Sequence, residues 1–159
     1  KSVIDIGCGP GHYTVALGQR GAARLYGLDF AEGMVDIARR RAEQAGIGDR
    51  CEFAIGDFMK VDLPEQFDYA IVMGFMDYVA APQAMIDRTL GITRNKAFFS
   101  FPAQGGFLAW QRQLRYKSRC DLYLYSEPAI RTLFDASPAK STTIEKINRD
   151  FFVTASMEA

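Results

Sequence analysis

A glycine-rich turn directly after the first apolar run is the feature that most restricts how this chain can fold. Ser2–Ile6 is predicted to form a short strand, and Gly7-Cys8-Gly9-Pro10-Gly11 follows it before a helical pattern begins at His12. Glycines let the backbone turn sharply and let a ligand approach where a Cβ atom would collide. The helix behind the turn offers unpaired amides and the positive end of its dipole. The pattern therefore predicts a ligand-binding loop between a strand and a helix.

The rest of the chain alternates between strand and helix patterns. Val35, Ala38 and Ala42 recur on one face of the clearest helix, and the apolar run Phe67–Met73 is typical of a strand buried on both faces. We therefore predict an α/β fold: a doubly wound, mostly parallel seven-stranded sheet that ends in an antiparallel hairpin. The predicted strands are 2–6, 24–28, 51–55, 67–73, 96–101, 142–147 and 151–156, and the predicted helices are 12–19, 31–45, 82–90 and 126–136.

The composition excludes several classes of protein. The 159 residues carry 19 Lys and Arg against 19 Asp and Glu, so the basic surface of a dedicated nucleic-acid binder is not expected. No apolar run approaches the ~20 residues of a membrane-spanning helix. No signal-peptide pattern begins at Lys1, and the cysteines Cys8, Cys51 and Cys120 lack metal-ligand spacing. We therefore expect a cytoplasmic protein with reduced thiols and no metal site.

Two acids stand where later strands are predicted to end. In open parallel sheets ligands bind outside the carboxyl ends of the strands, where Asp29 and the turn Gly56-Asp57-Phe58 join the glycine loop. Asp29 could accept hydrogen bonds from both hydroxyls of a ribose, or instead cap the following helix. Asp57 could accept from the amino group of a purine, or simply form a turn. A dinucleotide loop would place a third glycine where His12 stands, which disfavours that ligand.

Four segments of the chain form a series of motifs: Val3–Gly11, Gly27–Met34, Gly56–Phe58 and Phe67–Gly74. In this order they resemble the class I S-adenosylmethionine-dependent methyltransferases. The resemblance covers residues 2–101 and implies the Rossmann-like methyltransferase fold, with S-adenosylmethionine as the cofactor. The cofactor-binding residues that it implies are Asp5, Gly7, Cys8, Gly9, Gly11, His12, Asp29, Phe30, Met34, Asp57, Phe58, Met73 and Gly74.

The resemblance also implies a role for each part of this set. The glycine loop would hold the methionine part of the cofactor, with Asp5 orienting its amino group directly or through water. Asp29 would hold the ribose, and the turn at Asp57 and Phe58 would hold the adenine. The remaining contacts are weaker: Met34 along the adenine or ribose, Met73 and Gly74 near the sulfonium, and His12 either in the pocket or simply at the start of a helix.

The sequence marks the methyl acceptor less clearly. Asp77 and Tyr78 are the weak candidates for catalysis, because Asp77 could orient or deprotonate an acceptor, although a turn or helix-capping acid is the alternative. Family members that methylate adenine N6, cytosine or glutamine show Asn/Asp-Pro-Pro-Tyr at this place. The segment Gly74-Phe75-Met76-Asp77 lacks that motif, which disfavours those acceptors.

Residues 102–125 are predicted to form a substrate-side insertion, with a helix and an ordered excursion over 105–125. Its basic residues could receive an anionic acceptor such as a carboxylate or phosphate, or could form a solvated helix face. Nearby aromatic residues could line an apolar acceptor pocket or belong to the core. The basic residues are Arg112, Arg115, Lys117 and Arg119, and the aromatic residues are Phe101, Phe107 and Trp110.

We therefore expect a methyltransferase that transfers a methyl group by in-line displacement to an O, N or C atom of a small-molecule acceptor. The alternatives are a non-catalytic module that binds S-adenosylmethionine or S-adenosylhomocysteine, and an NAD-dependent oxidoreductase. Residues 1–159 are expected to form a single catalytic core without the helices that family members usually carry before the first strand. The chain is then expected to be either a fragment, which we favour, or a domain with an unusually open pocket. No nucleic-acid partner and no membrane span are expected, and no oligomeric state is predicted.

Overall fold

One mixed sheet organises the computed structural model, which describes residues 1–104 and 122–158. Its strands are β1 (Ser2–Ile6), β2 (Arg24–Asp29), β3 (Cys51–Ile55), β4 (Phe67–Val72), β5 (Thr93–Pro102), β6 (Ser141–Ile147) and β7 (Asp150–Ser156). The α-helices of the described ranges are α1 (His12–Gln19), α2 (Glu32–Gln44), α3 (Pro82–Gly91) and α4 (Glu127–Asp135). Short 3-10 turns cover Gly48–Arg50 and Met76–Tyr78.

The strand order across the sheet is β3-β2-β1-β4-β5-β7-β6. Strands β1 to β5 run parallel, whereas β7 pairs antiparallel with both β5 and β6. The predicted doubly wound sheet with a C-terminal antiparallel hairpin is confirmed. The chain moves outward from β1 to β3 and then continues on the other side with β4, so the winding direction changes between β1 and β4. Such a switch point opens a crevice at the carboxyl ends of the strands.

Apolar side chains form two clusters on the sheet. The smaller one lies beneath α1 and α2, where Val35, Ala38 and Ala42 are buried against Phe53 of β3. The larger one lies beneath α3 and α4. Its members from the strands and helices include Ile4, Leu28, Val72, Ile86, Phe99, Phe101, Ile130 and Phe134. These clusters fix the strand ends, and therefore the loops that follow them.

Phe101 belongs to this core rather than to an acceptor pocket. It is fully buried, and its ring meets Tyr125 edge-on with 5.0 Å between the ring centres. The peptide of Tyr125 also pairs with the end of β5, since its amide donates to the carbonyl of Pro102 at 2.9 Å. The chain thus returns along β5 after residues 105–121.

Several sequence predictions concern residues 105–121 and lie outside the described residues. They are the helix and excursion of the predicted insertion, the basic residues Arg112, Arg115, Lys117 and Arg119, the aromatic residues Phe107 and Trp110, and Cys120. Over the two described ranges, no helix has both the length and the apolar character that crossing a membrane requires.

Candidate functional site

The glycine loop turns back over β2 at the carboxyl edge of the sheet. The amides of Gly7 and Cys8 both donate to the carbonyl of Leu28, at 2.8 and 3.0 Å. Gly7 has φ +70° and Gly11 has φ +77°, a left-handed conformation that residues with a Cβ atom rarely adopt. A Cβ atom on Gly11 would also lie 2.9 Å from the Cβ of Ala38, so glycine lets α1 pack closely on α2. The loop is therefore a tight, fixed turn.

Asp29 ties this loop to the start of α2. Its Oδ2 accepts from the amide of Gly9 at 2.8 Å, and its Oδ1 accepts from the amide of Ala31 at 2.9 Å. The residue is 8% exposed. The capping alternative raised by the sequence is not what the structure shows: Ala31 takes the N-cap position of α2 without a side-chain cap, and Asp29 binds only the amide of Ala31 in the turn before the helix. A carboxylate oxygen can accept more than one hydrogen bond, so this does not exhaust its capacity for a ligand.

Asp5 is the most deeply placed acid of the site. It is 2% exposed, and its Oδ2 accepts from both the amide of Thr14 at 3.1 Å and the hydroxyl of Thr14 at 2.5 Å. Burial raises the pKa of this carboxyl to about 6, against the opposing effect of the Thr14 hydrogen bonds and with a further increase from Asp29. Asp5 therefore anchors the first turn of α1 and places beneath the loop an acid whose ionisation is opposed by burial.

A cavity of about 240 Å³ joins the ends of β1, β2 and β3. It contains two of the predicted acids and the first glycine of the loop. Its walls are formed by Gly7, Leu28, Asp29, Phe30, Gly56, Asp57, Phe58 and Phe75. A larger cavity of about 370 Å³ opens at the amino ends of β2 and β3, where Arg24 and Glu65 form an ion pair at 2.8 Å. We assign function to the smaller cavity, because ligands of such sheets bind at the carboxyl ends of the strands.

Asp57 and Phe58 occupy very different environments in this wall. Asp57 is exposed, and its Oδ1 accepts from the amide of Met59 at 2.9 Å while its Oδ2 lies 3.2 Å from Nζ of Lys60. The amide of Met59 and the ammonium of Lys60 both hold the pKa of this carboxyl below its usual value. Phe58 is 4% exposed, and the guanidinium of Arg88 lies 5.2 Å from its ring centre. Its ring therefore packs inward and leaves little surface for stacking on a purine.

The other predicted residues lie around the loop. Phe30 is 72% exposed and borders the cavity, and Met34 is 42% exposed on α2 nearby in sequence. His12 is the exposed first residue of α1. Cys8 differs from them, because its side chain is buried in the cluster beneath α1 and α2. Burial raises the pKa of this thiol to about 12, and Cys8 is not among the residues that line the cavity.

Phe75, which follows β4, lines the cavity and was not predicted from the sequence. The predicted residues Met73 and Gly74 are half-buried and exposed respectively, and neither lines the cavity. The amide of Gly74 donates to Oγ of Ser100 at 2.7 Å, and its φ of +65° turns the chain at this point. The signal in the sequence was a glycine just after a buried strand, which marks a turn that redirects the next side chain.

Asp77 and Tyr78 lie in the 3-10 turn beyond Phe75. Asp77 is 1% exposed, and its carbonyl accepts from the amide of Tyr123 at 2.9 Å. The hydroxyl of Tyr125 donates to the carbonyl of Met76 at 3.2 Å. Burial, reinforced by the charge of Asp77, raises the pKa of Tyr125 to about 12. The turn is thus held by the segment that returns after residue 121, and Tyr78 is the more accessible of the two catalytic candidates, at 48% exposed.

Comparison with known proteins decides the family. A family model described as a methyltransferase domain matches residues 3–95. The chain belongs to this methyltransferase family. The match contains all four motifs that resemble the class I S-adenosylmethionine-dependent methyltransferases, and it confirms that resemblance. In this methyltransferase domain the matched region runs from β1 into β5 and includes every residue of the cavity wall.

A relative of known name agrees with this assignment. The ubiquinone biosynthesis O-methyltransferase of Stutzerimonas stutzeri (strain A1501) is 31% identical over 102 residues, which are 63% of this chain and 44% of that protein. The chain therefore spans less than half the length of this relative.

Solved structures share the fold. The magnesium protoporphyrin IX methyltransferase of Synechocystis PCC 6803, solved with bound S-adenosylhomocysteine, superposes with a TM-score of 0.77 at 21% identity, over 98% of this chain and 73% of that chain. An O-methyltransferase family protein from Burkholderia thailandensis superposes with a TM-score of 0.85 at 16% identity, over 98% of this chain and 50% of that chain. At these identities the likeness supports the fold alone.

Proposed function

We propose that this domain binds S-adenosylmethionine at the carboxyl edge of its sheet and transfers the methyl group by in-line displacement to an O, N or C atom of a small-molecule acceptor. The observation that supports it best is the cavity at the switch point, where the glycine loop, Asp29 and Asp57 meet in a domain of the methyltransferase family. Cys8 and Cys51 form no disulfide within the described part of the chain, and we propose a cytoplasmic location for the reaction.

The hydrogen-bond acceptors of the cavity fit this cofactor. Asp29 is held by two backbone amides, so its carboxylate is already oriented at the end of β2, where ribose hydroxyls can donate to it. Asp57 at the end of β3 offers an acceptor for the amino group of adenine. The acids Asp5 and Asp29 make this edge electronegative, which favours a ligand with cationic groups and opposes the phosphates of a dinucleotide.

The residues of this domain would act chiefly by positioning. When bound, S-adenosylmethionine supplies a methyl group on a positively charged sulfur, which is an activated leaving group. Holding an acceptor and this methyl group in line can supply ~7–11 kcal/mol of the barrier. The turn Met76–Tyr78 is fixed to Tyr123 and Tyr125 and follows directly after the cavity residue Phe75. We assign Asp77 a positioning role in this turn because it is 1% exposed.

A general base is required only when the acceptor is a phenol, an alcohol or a protonated amine. Tyr78 is 48% exposed in the turn that follows the cavity residue Phe75, so it is the residue we would replace first in a search for such a base. The basic residues predicted to receive an anionic acceptor lie within 105–121. The charge of the acceptor is therefore addressed by assay, with carboxylates, phenols and amines compared directly.

Calorimetry with S-adenosylmethionine and S-adenosylhomocysteine tests the cofactor. We expect both to bind to the unmodified chain, and we expect Asp29→Ala to weaken both at least tenfold. Asp36→Ala is the matched control, since it removes an exposed acid of α2 that pairs only with Arg39 at 3.2 Å in the described structure. Failure of both ligands to bind would refute the proposal.

Transfer of a labelled methyl group to the acceptor panel then tests catalysis. We expect turnover with at least one class of small molecule, and more labelled product from one class than from the others. Binding without turnover for any class would instead favour the non-catalytic module, in which the same cavity holds the cofactor without an acceptor.

A further inference from the structure

Phe75 lies against the glycine loop from the opposite side of the switch point. Its ring is so close to Gly7 that a Cβ atom on Gly7 would lie 2.3 Å from Cδ2 of Phe75. Phe75 follows β4 and Gly7 follows β1, which are neighbouring parallel strands. Phe75 therefore contributes the wall of the cavity on the β4 side, and Asp29 and Phe58 line the same cavity.

The backbone holds Phe75 in this place. Gly74 turns the chain with a positive φ and is anchored to Ser100 of β5. The carbonyl of Phe75 accepts from the amide of Tyr78 at 3.0 Å, which closes the 3-10 turn behind it. Because the backbone is anchored at Gly74 and at the carbonyl of Phe75, the fold holds this residue beside Gly7.

The order of the strand ends indicates which part of the cofactor meets this ring. Asp57, Asp29 and Gly7 follow β3, β2 and β1, which are adjacent in that order. A ligand whose adenine lies at β3 and whose ribose lies at β2 brings its next atom, the sulfur, toward β1 and β4. Phe75 is the aromatic side chain of the cavity wall at that end.

We infer that Phe75 discriminates between the cofactor and its product by contact of its ring face with the sulfonium. This inference rests on the proposed function. An aromatic face attracts a cation through its quadrupole, and the attraction grows when the contact is shielded from water. In methyl transfer an electron pair of the acceptor forms a bond to the methyl carbon while the pair of the carbon–sulfur bond moves onto sulfur, so the sulfonium becomes a neutral thioether. The ring therefore loses its cationic partner when the reaction occurs, which lowers the affinity for the product.

Calorimetric affinities for S-adenosylmethionine and S-adenosylhomocysteine test this inference. In Phe75→Leu we expect the preference for S-adenosylmethionine over S-adenosylhomocysteine to fall about fivefold, because affinity for the charged ligand drops and affinity for the neutral one changes little. Phe75→Tyr keeps an aromatic face and should retain the preference of the unmodified chain.

Phe98→Leu is the matched control for the loss of a ring. Phe98 is also half-buried, but it packs on β5 against Tyr69 and Phe152, away from the cavity. We expect it to leave the preference unchanged, and thermal unfolding of all variants checks that each is folded at the assay temperature.

The possible outcomes separate the two proposals. Equal loss of affinity for both ligands in Phe75→Leu, or an unchanged ratio, would overturn the inference while leaving the methyltransferase assignment intact. If the unmodified chain binds neither ligand, the proposed function fails and the role of Phe75 fails with it. A lowered preference in Phe75→Leu, retained in Phe75→Tyr and Phe98→Leu, supports both.

Discussion

Replacing Asp5 with Asn is expected to stabilise the domain at neutral pH, although the acid makes two hydrogen bonds. Burial raises the pKa of this carboxyl from an ordinary value of 3.8 to about 6. A group that binds its proton more tightly in the folded state makes the fold less stable as pH rises between these two values. The folded chain thus loses stability between about pH 4 and pH 6 and keeps that loss at higher pH.

The size of the effect follows from the same pKa. A rise from 3.8 to about 6 corresponds to about 3 kcal/mol of free energy of unfolding. Asn at this position cannot ionise, and its side-chain oxygen can still accept from the hydroxyl of Thr14. The stability of Asp5→Asn minus that of the unmodified chain should therefore increase by about 3 kcal/mol from pH 4 to pH 7 and then stay constant.

Urea unfolding followed by circular dichroism at several pH values measures this difference directly. Other titrating groups are common to both chains and cancel when the two are subtracted. Glu145→Gln removes an exposed acid from the edge strand β6 and serves as the control, for which a flat difference is expected. A difference that is equally flat for Asp5→Asn would refute the argument that burial makes the ionised acid costly.

Two further predictions concern the loop and its ligand. Gly11→Ala should lower the free energy of unfolding by about 3 kcal/mol, because Gly11 has a left-handed conformation and its added Cβ would lie 2.9 Å from Ala38 of α2. Gly9→Ala should lower it by only about 1 kcal/mol, because Gly9 is left-handed too but nothing lies within 4 Å of its added Cβ. Urea unfolding compares the two variants. If the amino group of S-adenosylmethionine binds ionised Asp5, calorimetric affinity should be about tenfold lower at pH 5 than at pH 7, and Asp5→Asn should abolish that dependence.

Local rules were sufficient to predict the glycine loop and the end of β2 from the sequence. Gly7 and Gly11 adopt the positive φ values that glycine permits, and Asp29 stands at the last position of its strand. The capping interpretation of Asp29 was wrong, because Ala31 takes the N-cap position of α2, whereas ribose binding stays a prediction for a carboxylate that lines the cavity. Such features depend on a few neighbouring residues, which the sequence displays in order.

Side-chain direction was harder to predict, because it depends on contacts distant in sequence. Cys8 belongs to the loop motif, yet its side chain packs in the core beneath α1 and α2. Phe58 follows the turn at Asp57, yet its ring lies beneath Arg88 of α3. The place of Phe75 in the cavity wall could not be predicted, because it depends on the pairing of β1 with β4. Its ring lies against Gly7, and the residue before it is anchored to Ser100.

The roles proposed for Asp5 and Phe75 make them respond to different charges of one ligand. Asp5 is a buried acid whose ionisation lowers the stability of the folded chain. A nearby ammonium group would offset this loss of stability by favouring the ionised carboxylate. That ammonium is present both before and after methyl transfer, whereas the sulfonium facing Phe75 exists only before it. Asp5 should accordingly affect the affinity for both forms of the cofactor, and Phe75 should affect their ratio. Because the two residues act on separate charges, their effects on binding free energy should be close to additive in the double variant, and strong coupling between them would contradict the separate roles.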